Sequence, residues 1–224
     1  AAYAIKLQDY RVDIRARLKG VNVEGEFEPD TVQGWLNNKF APDGYAYLIP
    51  ISNSKAHLVI AYPEYPGNQL YDSKKLLNNF LDEASNFLNQ EFRIKDHFEI
   101  NNYIIGICNK PRIGNTFFVG NNFGAIMPFL GFGQTPSLLT GIYAALDITG
   151  KGTYEKLIQP LKNSYSDSLT LRKTLEKMNN KQLDLFVRSL KGKAGQKLFT
   201  GGYNYLKVAA KILKPFISNK TPDC

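Results

Sequence analysis

From Tyr10 to Val23 apolar and polar positions alternate for much of the run: Tyr10, Val12, Ile14, Ala16 and Leu18 against Arg11, Asp13, Arg15, Arg17 and Lys19. A period of two is that of a strand with one buried face. Gly20 and Gly25 then allow a turn or bulge. Further strands are predicted over Thr31–Leu36, Tyr45–Ile51 and Ala56–Tyr62, separated by the turn formers Pro42-Asp43-Gly44 and Ser52-Asn53-Ser54. The first sixty residues therefore read as an antiparallel sheet. Pro63 and Pro66-Gly67 break it. Asp72 or Ser73 can cap a helix whose apolar residues Leu76, Leu77, Phe80, Leu81, Ala84, Phe87 and Leu88 recur at intervals of three and four, so one face of that helix should pack on the sheet.

Strand character returns at Phe92–Ile100 and Tyr103–Cys108, and a short run, Thr116–Val119, ends at Gly120. The period then changes. Gln134–Ile148, Tyr154–Met178, Lys181–Leu190 and Tyr203–Ile217 read as helices, with Pro160 in a first turn or at a kink and Gly150, Gly192 and Gly201-Gly202 at the joints. The predicted class is α+β: a sheet with packed helices, followed by a helical carboxyl-terminal region.

Composition narrows the function. The 224 residues, 43% of them hydrophobic, are enough to build a real core. No apolar run approaches the length of a membrane span, and Ala1–Arg11 lacks the apolar core of a signal peptide. Cys108 sits in an apolar run and Cys224 ends the chain, so neither a disulfide framework nor a metal set is expected. A reduced, cytoplasmic protein fits these features. The net charge of +8 comes largely from lysines after Lys151; these read as a solvated helical face, suited also to peripheral contact with an anionic membrane. The 13 Tyr and 14 Phe fall at core-like spacings and form no stacking platform, so nucleic acid is not an expected partner. His57 and His97 lack partners at metal or triad spacing, and neither a Gly-x-Ser-x-Gly elbow nor a phosphate loop occurs.

The segment that carries chemistry is Thr116-Phe-Phe-Val-Gly120-Asn121-Asn-Phe-Gly124-Ala-Ile-Met-Pro128-Phe-Leu-Gly131-Phe132-Gly133-Gln134. A strand ends in Gly-Asn, a loop holds a proline, and two glycines open an apolar helix. Glycine lets backbone approach a ligand, and a helix start offers unpaired amides and partial positive charge, which suits an anion or an electron-rich carbonyl. The same glycines would also serve simply to turn the chain before a buried helix. Gly131-x-Gly133 is not a dinucleotide fingerprint, because Pro136 stands at the third position and the pair lies a dozen residues beyond the strand.

The run Gly120-Asn121-x-x-Gly124-x-x-x-Pro128-x-x-Gly131-x-Gly133 resembles the second flavin motif of the p-hydroxybenzoate-hydroxylase-like flavoproteins, and is most similar to its form in geranylgeranyl-reductase-like members. Ala41-Pro42-Asp43-Gly44-Tyr45-Ala46-Tyr47-Leu48-Ile49-Pro50 resembles the same family's substrate-sheet segment. The resemblance covers roughly residues 10–190. It implies flavin adenine dinucleotide (FAD) as cofactor, with Asn121 on its ribityl or phosphate part, Pro128 near the isoalloxazine ring, and Gly131, Phe132 and Gly133 aiming the helix at the flavin's N1 and C2 carbonyl. It implies that Tyr45, Tyr47 and Pro50 line a cavity for an unsaturated apolar or lipid substrate of isoprenoid type. It divides the chain into a substrate-binding sheet with one long helix (1–112), a piece of the FAD-binding domain (113–150) and a helical region (151–224). The sequence departs from the pattern at Asn121, where Asp is usual, at Tyr47 and Ile49, where Trp and Phe are usual, and at Val59-Ile60-Ala61, where Gly-x-Gly is common. The family's opening Gly-x-Gly-x-x-Gly segment does not occur in these residues. The expectation is a fragment or split gene product that alone binds flavin weakly or not at all. A non-enzymatic module for an apolar ligand or a membrane surface is the alternative that the residues leave open. No catalytic side chain is assigned.

Overall fold

The computed structural model describes residues 9–65, 71–129 and 131–190. The predicted helix Tyr203–Ile217, the glycine joints Gly192 and Gly201-Gly202, the last lysines and Cys224 lie outside them. Strands are β1 (Tyr10–Glu24), β2 (Gln33–Trp35), β3 (Tyr45–Ser52), β4 (Lys55–Pro63), β5 (Arg93–Cys108), β6 (Arg112–Ile113) and β7 (Thr116–Phe117). Helices are α1 (Ser73–Leu88), α2 (Gln134–Ile148), the single turn α3 (Tyr154–Leu157), α4 (Gln159–Leu175) and α5 (Asn180–Ser189). A five-stranded sheet has the order β2-β3-β4-β1-β5, and β6 and β7 form a separate two-stranded ribbon. The class is α+β, as the periodicities predict. The described residues fall into two compact units, 15–65, 71–103 and 176–188 in one, and 9–14, 104–129, 131–175 and 189–190 in the other; β1 and β5 contribute to both.

In the first unit the alternation of each strand decides which side meets the helix. Antiparallel register sets Leu48 opposite Leu58 and Leu58 opposite Val21, and Ala46 opposite Ile60. These residues join Tyr62, Leu76, Leu77, Phe80 and Ala84 in one buried cluster, so α1 covers this side of the sheet. Asp72 caps α1, accepting from the amides of Lys74 and Lys75 at 3.0 and 3.1 Å. Asn89 ends it in the left-handed conformation, φ 51°. Trp35 of the short edge strand meets Phe80 and Phe87 edge-on at 5.2 and 5.6 Å between ring centroids. The chain returns to this unit late: Asn180, the first residue of α5, accepts from the Asn38 amide at 2.9 Å, and the Asn38 side chain donates to the Met178 carbonyl at 3.2 Å.

Three differences from the predicted elements have local causes. The two strands expected at residues 92–108 are one, β5, in which Asn102 absorbs the irregularity with φ 54°. The helix expected from Tyr154 is broken at Ile158, and Pro160 sits in the first turn of α4, where its missing N–H costs nothing. The run at Thr116 pairs with Arg112–Ile113 across a turn at Gly114, φ 56°.

Gly44 closes the turn before β3, and its amide donates to the Ala41 carbonyl at 2.9 Å. A Cβ at Gly44 would lie 2.0 Å from the Ala61 carbonyl oxygen, whereas one at Gly34 would find nothing nearer than 3.9 Å. Gly44→Ala is therefore expected to destabilise the fold by about 2–4 kcal/mol, the upper range for forced overpacking. Gly34→Ala should change it by less than about 0.5 kcal/mol. Urea unfolding of the two variants checks the pair.

Candidate functional site

The loop between β7 and α2 belongs to the second unit and is held by backbone. Gly120 has φ 57° and opens a turn of 3-10 helix over Gly120–Asn122. Its amide donates to Thr140 Oγ1 at 2.9 Å, and that hydroxyl donates to the Ser137 carbonyl at 2.7 Å. Thr140 is fully buried on α2, so a single side chain ties the start of the loop to the helix that follows it. The Gly120 carbonyl accepts from Phe123 and Ala125 amides at 3.0 and 3.1 Å. Phe123 through Phe129, Pro128 included, are buried, whereas Asn121 is exposed. The Phe123 carbonyl accepts from the Cys108 amide at 3.0 Å, and the Phe129 amide donates to Ser168 Oγ on α4 at 2.9 Å.

The backbone then reverses. Met127 accepts from the Gly131 amide and donates to the Phe132 carbonyl, both at 2.9 Å, with Gly131 at φ 69°. Gly133 is the residue before α2 and brings no side chain to cap it, and a Cβ there would press on the Ala125 carbonyl at 3.3 Å. Pro136 has no N–H, no acidic residue stands in the first turn, and Gln134 and Thr135 are exposed. The helix start is thus open and electropositive, the arrangement that accepts an anion or a polarised carbonyl. Gly120, Asn121, Pro128, Gly131, Phe132 and Gly133 all belong to this one unit, Asn121 and Phe132 exposed and Pro128 buried.

Further contacts brace the loop's flanks, and the sequence analysis did not single them out. Arg112 bridges Asp147 near the end of α2 at 3.0 and 3.2 Å and lies over the Phe117 ring, 4.7 Å from its centroid. Asp147 also accepts from the Tyr154 amide at 2.7 Å, and the Tyr154 hydroxyl donates to the Phe118 carbonyl at 2.6 Å. A carboxylate near a helix carboxyl end is unfavourable alone, and Arg112 neutralises it. Burial holds the hydroxyl of Tyr154 well above the usual tyrosine range, with the neighbouring Cys108 and Glu155 adding to it.

Tyr45, Tyr47 and Pro50 belong to the other unit, on β3. Tyr45 and Tyr47 stack at 5.9 Å between centroids, opposite Ala61 and Val59 in register, on the sheet face away from α1. Pro50, opposite buried Ala56, is on the α1 side. It borders a cavity of about 700 Å³ with Leu48, Phe27, Gln33 and Leu88. The three residues expected on one wall are thus divided between two faces. Burial, and then the nearby Tyr103, raise the pKa of Tyr47 above the usual tyrosine value, so its phenol stays neutral. His57 bonds Asn22, Asn22 bonds Asp96, and the imidazole meets Phe98 edge-on.

Among the described residues no helix is long and apolar enough to cross a membrane, and no group of three or more His, Cys, Asp or Glu gathers to hold a metal ion.

No protein-family model matches the chain. Its fold is similar to that of a geranylgeranyl bacteriochlorophyll reductase-like protein from Thermoplasma acidophilum, at 17% identity and TM-score 0.56, over 79% of this chain and 47% of that one. It is similar to the flavin-dependent brominase Bmp2, at 9% identity and TM-score 0.65, over 94% of this chain and 58% of that one. A flavoprotein/dehydrogenase from Cytophaga hutchinsonii matches at 14% identity and TM-score 0.52, over 92% of this chain and 57% of that one. The chain spans about half the length of these structures. At such identities the likeness is one of fold, and the fold is one that flavin-dependent proteins use.

Two predictions follow from the loop's anchors. Thr140→Val keeps the shape and removes the acceptor, so stability should fall by about 1–3 kcal/mol and the Gly120 amide should exchange faster with solvent. Burial pushes the Cys108 thiol up to about 11 from its ordinary 9.0. Between those values the unfolded chain has released this proton and the folded chain has kept it, so stability falls as pH rises. Thermal unfolding in a Cys224→Ser background should show that fall above about pH 9, and the additional Cys108→Ala change should remove this share of it.

Proposed function

We propose that this chain is the substrate-facing part of an FAD-dependent oxidoreductase that reduces an unsaturated, apolar substrate of isoprenoid type, completed by a nucleotide-binding segment outside these residues. The observation that carries the reading is the open start of α2, delivered by Gly131-Phe132-Gly133 and fixed to Gly120 through Thr140. Its chemistry fits the flavin: two exposed positions at the helix start, no acidic residue in the first turn, and a glycine where a side-chain cap would otherwise close the helix.

When bound, flavin supplies hydride transfer. The residues of this chain bind and orient. The α2 start would favour negative charge at the flavin's N1 and C2 carbonyl, and so the reduced cofactor. Asn121, exposed at the loop tip, offers an acceptor oxygen and a donor to a sugar hydroxyl or phosphate. Pro128, buried in the loop, would shape the floor beside the ring. Tyr45 and Tyr47 would present uncharged rings to the substrate, and the place of Pro50 on the opposite sheet face leaves it out of that wall.

The test uses fluorescence titration of FAD with the chain alone and with a chimera in which it is joined to the part of the Thermoplasma acidophilum protein that has no counterpart here. The chain alone should not retain FAD through gel filtration, and the chimera should. Thr135→Asp places a carboxylate at the α2 start, where it favours the helix, so the melting temperature should hold or rise while FAD binding weakens about tenfold. A folded chimera without flavin, or one indifferent to Thr135→Asp, would refute the reading.

A further inference from the structure

The two faces of α2 (Gln134–Ile148) differ in what covers them. Pro136, Thr140 and Ala144, four apart, are buried. On the opposite side Leu138, Gly141, Ile142, Ala145 and Ile148 are all exposed and fall within an arc of about 120° at 100° per residue. Leu138 and Ile148 are each 71% exposed and Ile142 54%, and Phe132, just before the helix, is 58% exposed. No charged residue stands in the stripe, although the chain has 28 Lys and Arg and 20 Asp and Glu. A helix face that stays in water ordinarily carries its charges there.

Gly141 is an independent sign. Glycine in mid-helix is less stable than alanine, and here a Cβ would meet nothing within 4 Å. The chain's own packing does not call for glycine at 141. An element lying closely against the helix from outside would. The size of what is absent gives the occupant: this chain covers 47%, 58% and 57% of the three structures described above, while 79%, 94% and 92% of its own length is matched. Roughly half of each of those folds therefore has no counterpart here.

We propose that the Leu138–Gly141–Ile142–Ala145–Ile148 stripe is the docking face for the complementary half of the flavoprotein fold, with Gly141 at the point of closest approach. This rests on the proposal that a segment outside these residues completes the protein. A second copy of this chain is the rival occupant.

Ile142→Cys, in a Cys108→Ala, Cys224→Ser background, reports the face by its rate of labelling with a maleimide dye. The same change is placed in the chain alone and in the chimera, and flavin absorbance is read separately. Labelling should be fast in the chain alone at every concentration and about tenfold slower in the chimera. Adding Gly141→Leu should restore fast labelling in the chimera while leaving the melting temperature of the chain alone unchanged or higher. Equal rates in chain and chimera overturn the docking face. Protection of the chain alone that fades on dilution assigns the face to a second copy and also overturns it. Protection in the chimera that persists with Gly141→Leu removes Gly141 as the point of closest approach. A chimera that is protected but colourless keeps the docking face and rejects the flavin reading.

Discussion

The candidate site depends on backbones that approach each other through two glycines. A Cβ at Gly106 would lie 2.1 Å from the Arg11 carbonyl oxygen, and one at Gly124 would lie 2.1 Å from the Gly106 carbonyl oxygen. Strand β1, the end of β5 and the Gly120–Phe129 loop are therefore stacked with no side chain between them, and Gly124 takes φ 96°, which residues with side chains rarely adopt. The bond from the Cys108 amide to the Phe123 carbonyl continues this contact. The loop is thus laid on the sheet's end as an extra layer of backbone. Its freedom beyond Phe129 is then limited by the Met127 and Phe132 bonds and by Ser168. The direction of α2 is an outcome of these constraints more than of its own sequence.

Long elements were legible because their period reports which side is buried. Strand β1 and helix α1 lie within a residue or two of their predicted bounds, and Asp72 caps as its position suggested. Elements of two or three residues were less legible. β2 is shorter than Thr31–Leu36, and β6 has too few residues to show a period at all. The break at Ile158 was also hidden, since Leu157, Ile158 and Leu161 keep a helical spacing across it; only Pro160 marked the place.

The candidate site shows the same division. Gly120, Gly124, Gly131 and Gly133 could be picked out because their spacing matches the motif that the run resembles, and each has a structural cause in the loop. What holds them could not. Thr140 acts on Gly120 from twenty residues away, and Arg112 on Asp147 from thirty-five, so their pairing appears only once the fold exists. Pro50 illustrates a different limit. Tyr45, Tyr47 and Pro50 look like neighbours along β3, but alternation sends residues an odd number apart to opposite faces, and three separates Tyr47 from Pro50.

That alternation also bears on the chemistry of the face away from α1. Tyr47, Val59 and Gly20 lie in one row across β3, β4 and β1. Glycine is required at 20, because a Cβ would lie 2.5 Å from Cζ of Phe98 and 2.8 Å from the Leu58 carbonyl oxygen. The Phe98 ring thus occupies the room that Gly20 leaves open. Val59 and Ala61, where the family that the sequence resembles often carries Gly-x-Gly, put side chains into the neighbouring row positions, and both are buried. Around this row the face is built of Tyr45, Tyr47, Val59, Ala61 and Phe98, with His57, Asn22 and Asp96 bonded to one another beyond it, and burial keeps the Tyr47 phenol protonated. A surface that is filled, aromatic and uncharged can gain little from a charged ligand, whose desolvation it could not offset. It gains most from one that buries apolar area against the rings. The proposal of an apolar substrate thus has its physical argument in this row of side chains, independently of the helix start on which the proposed cofactor rests.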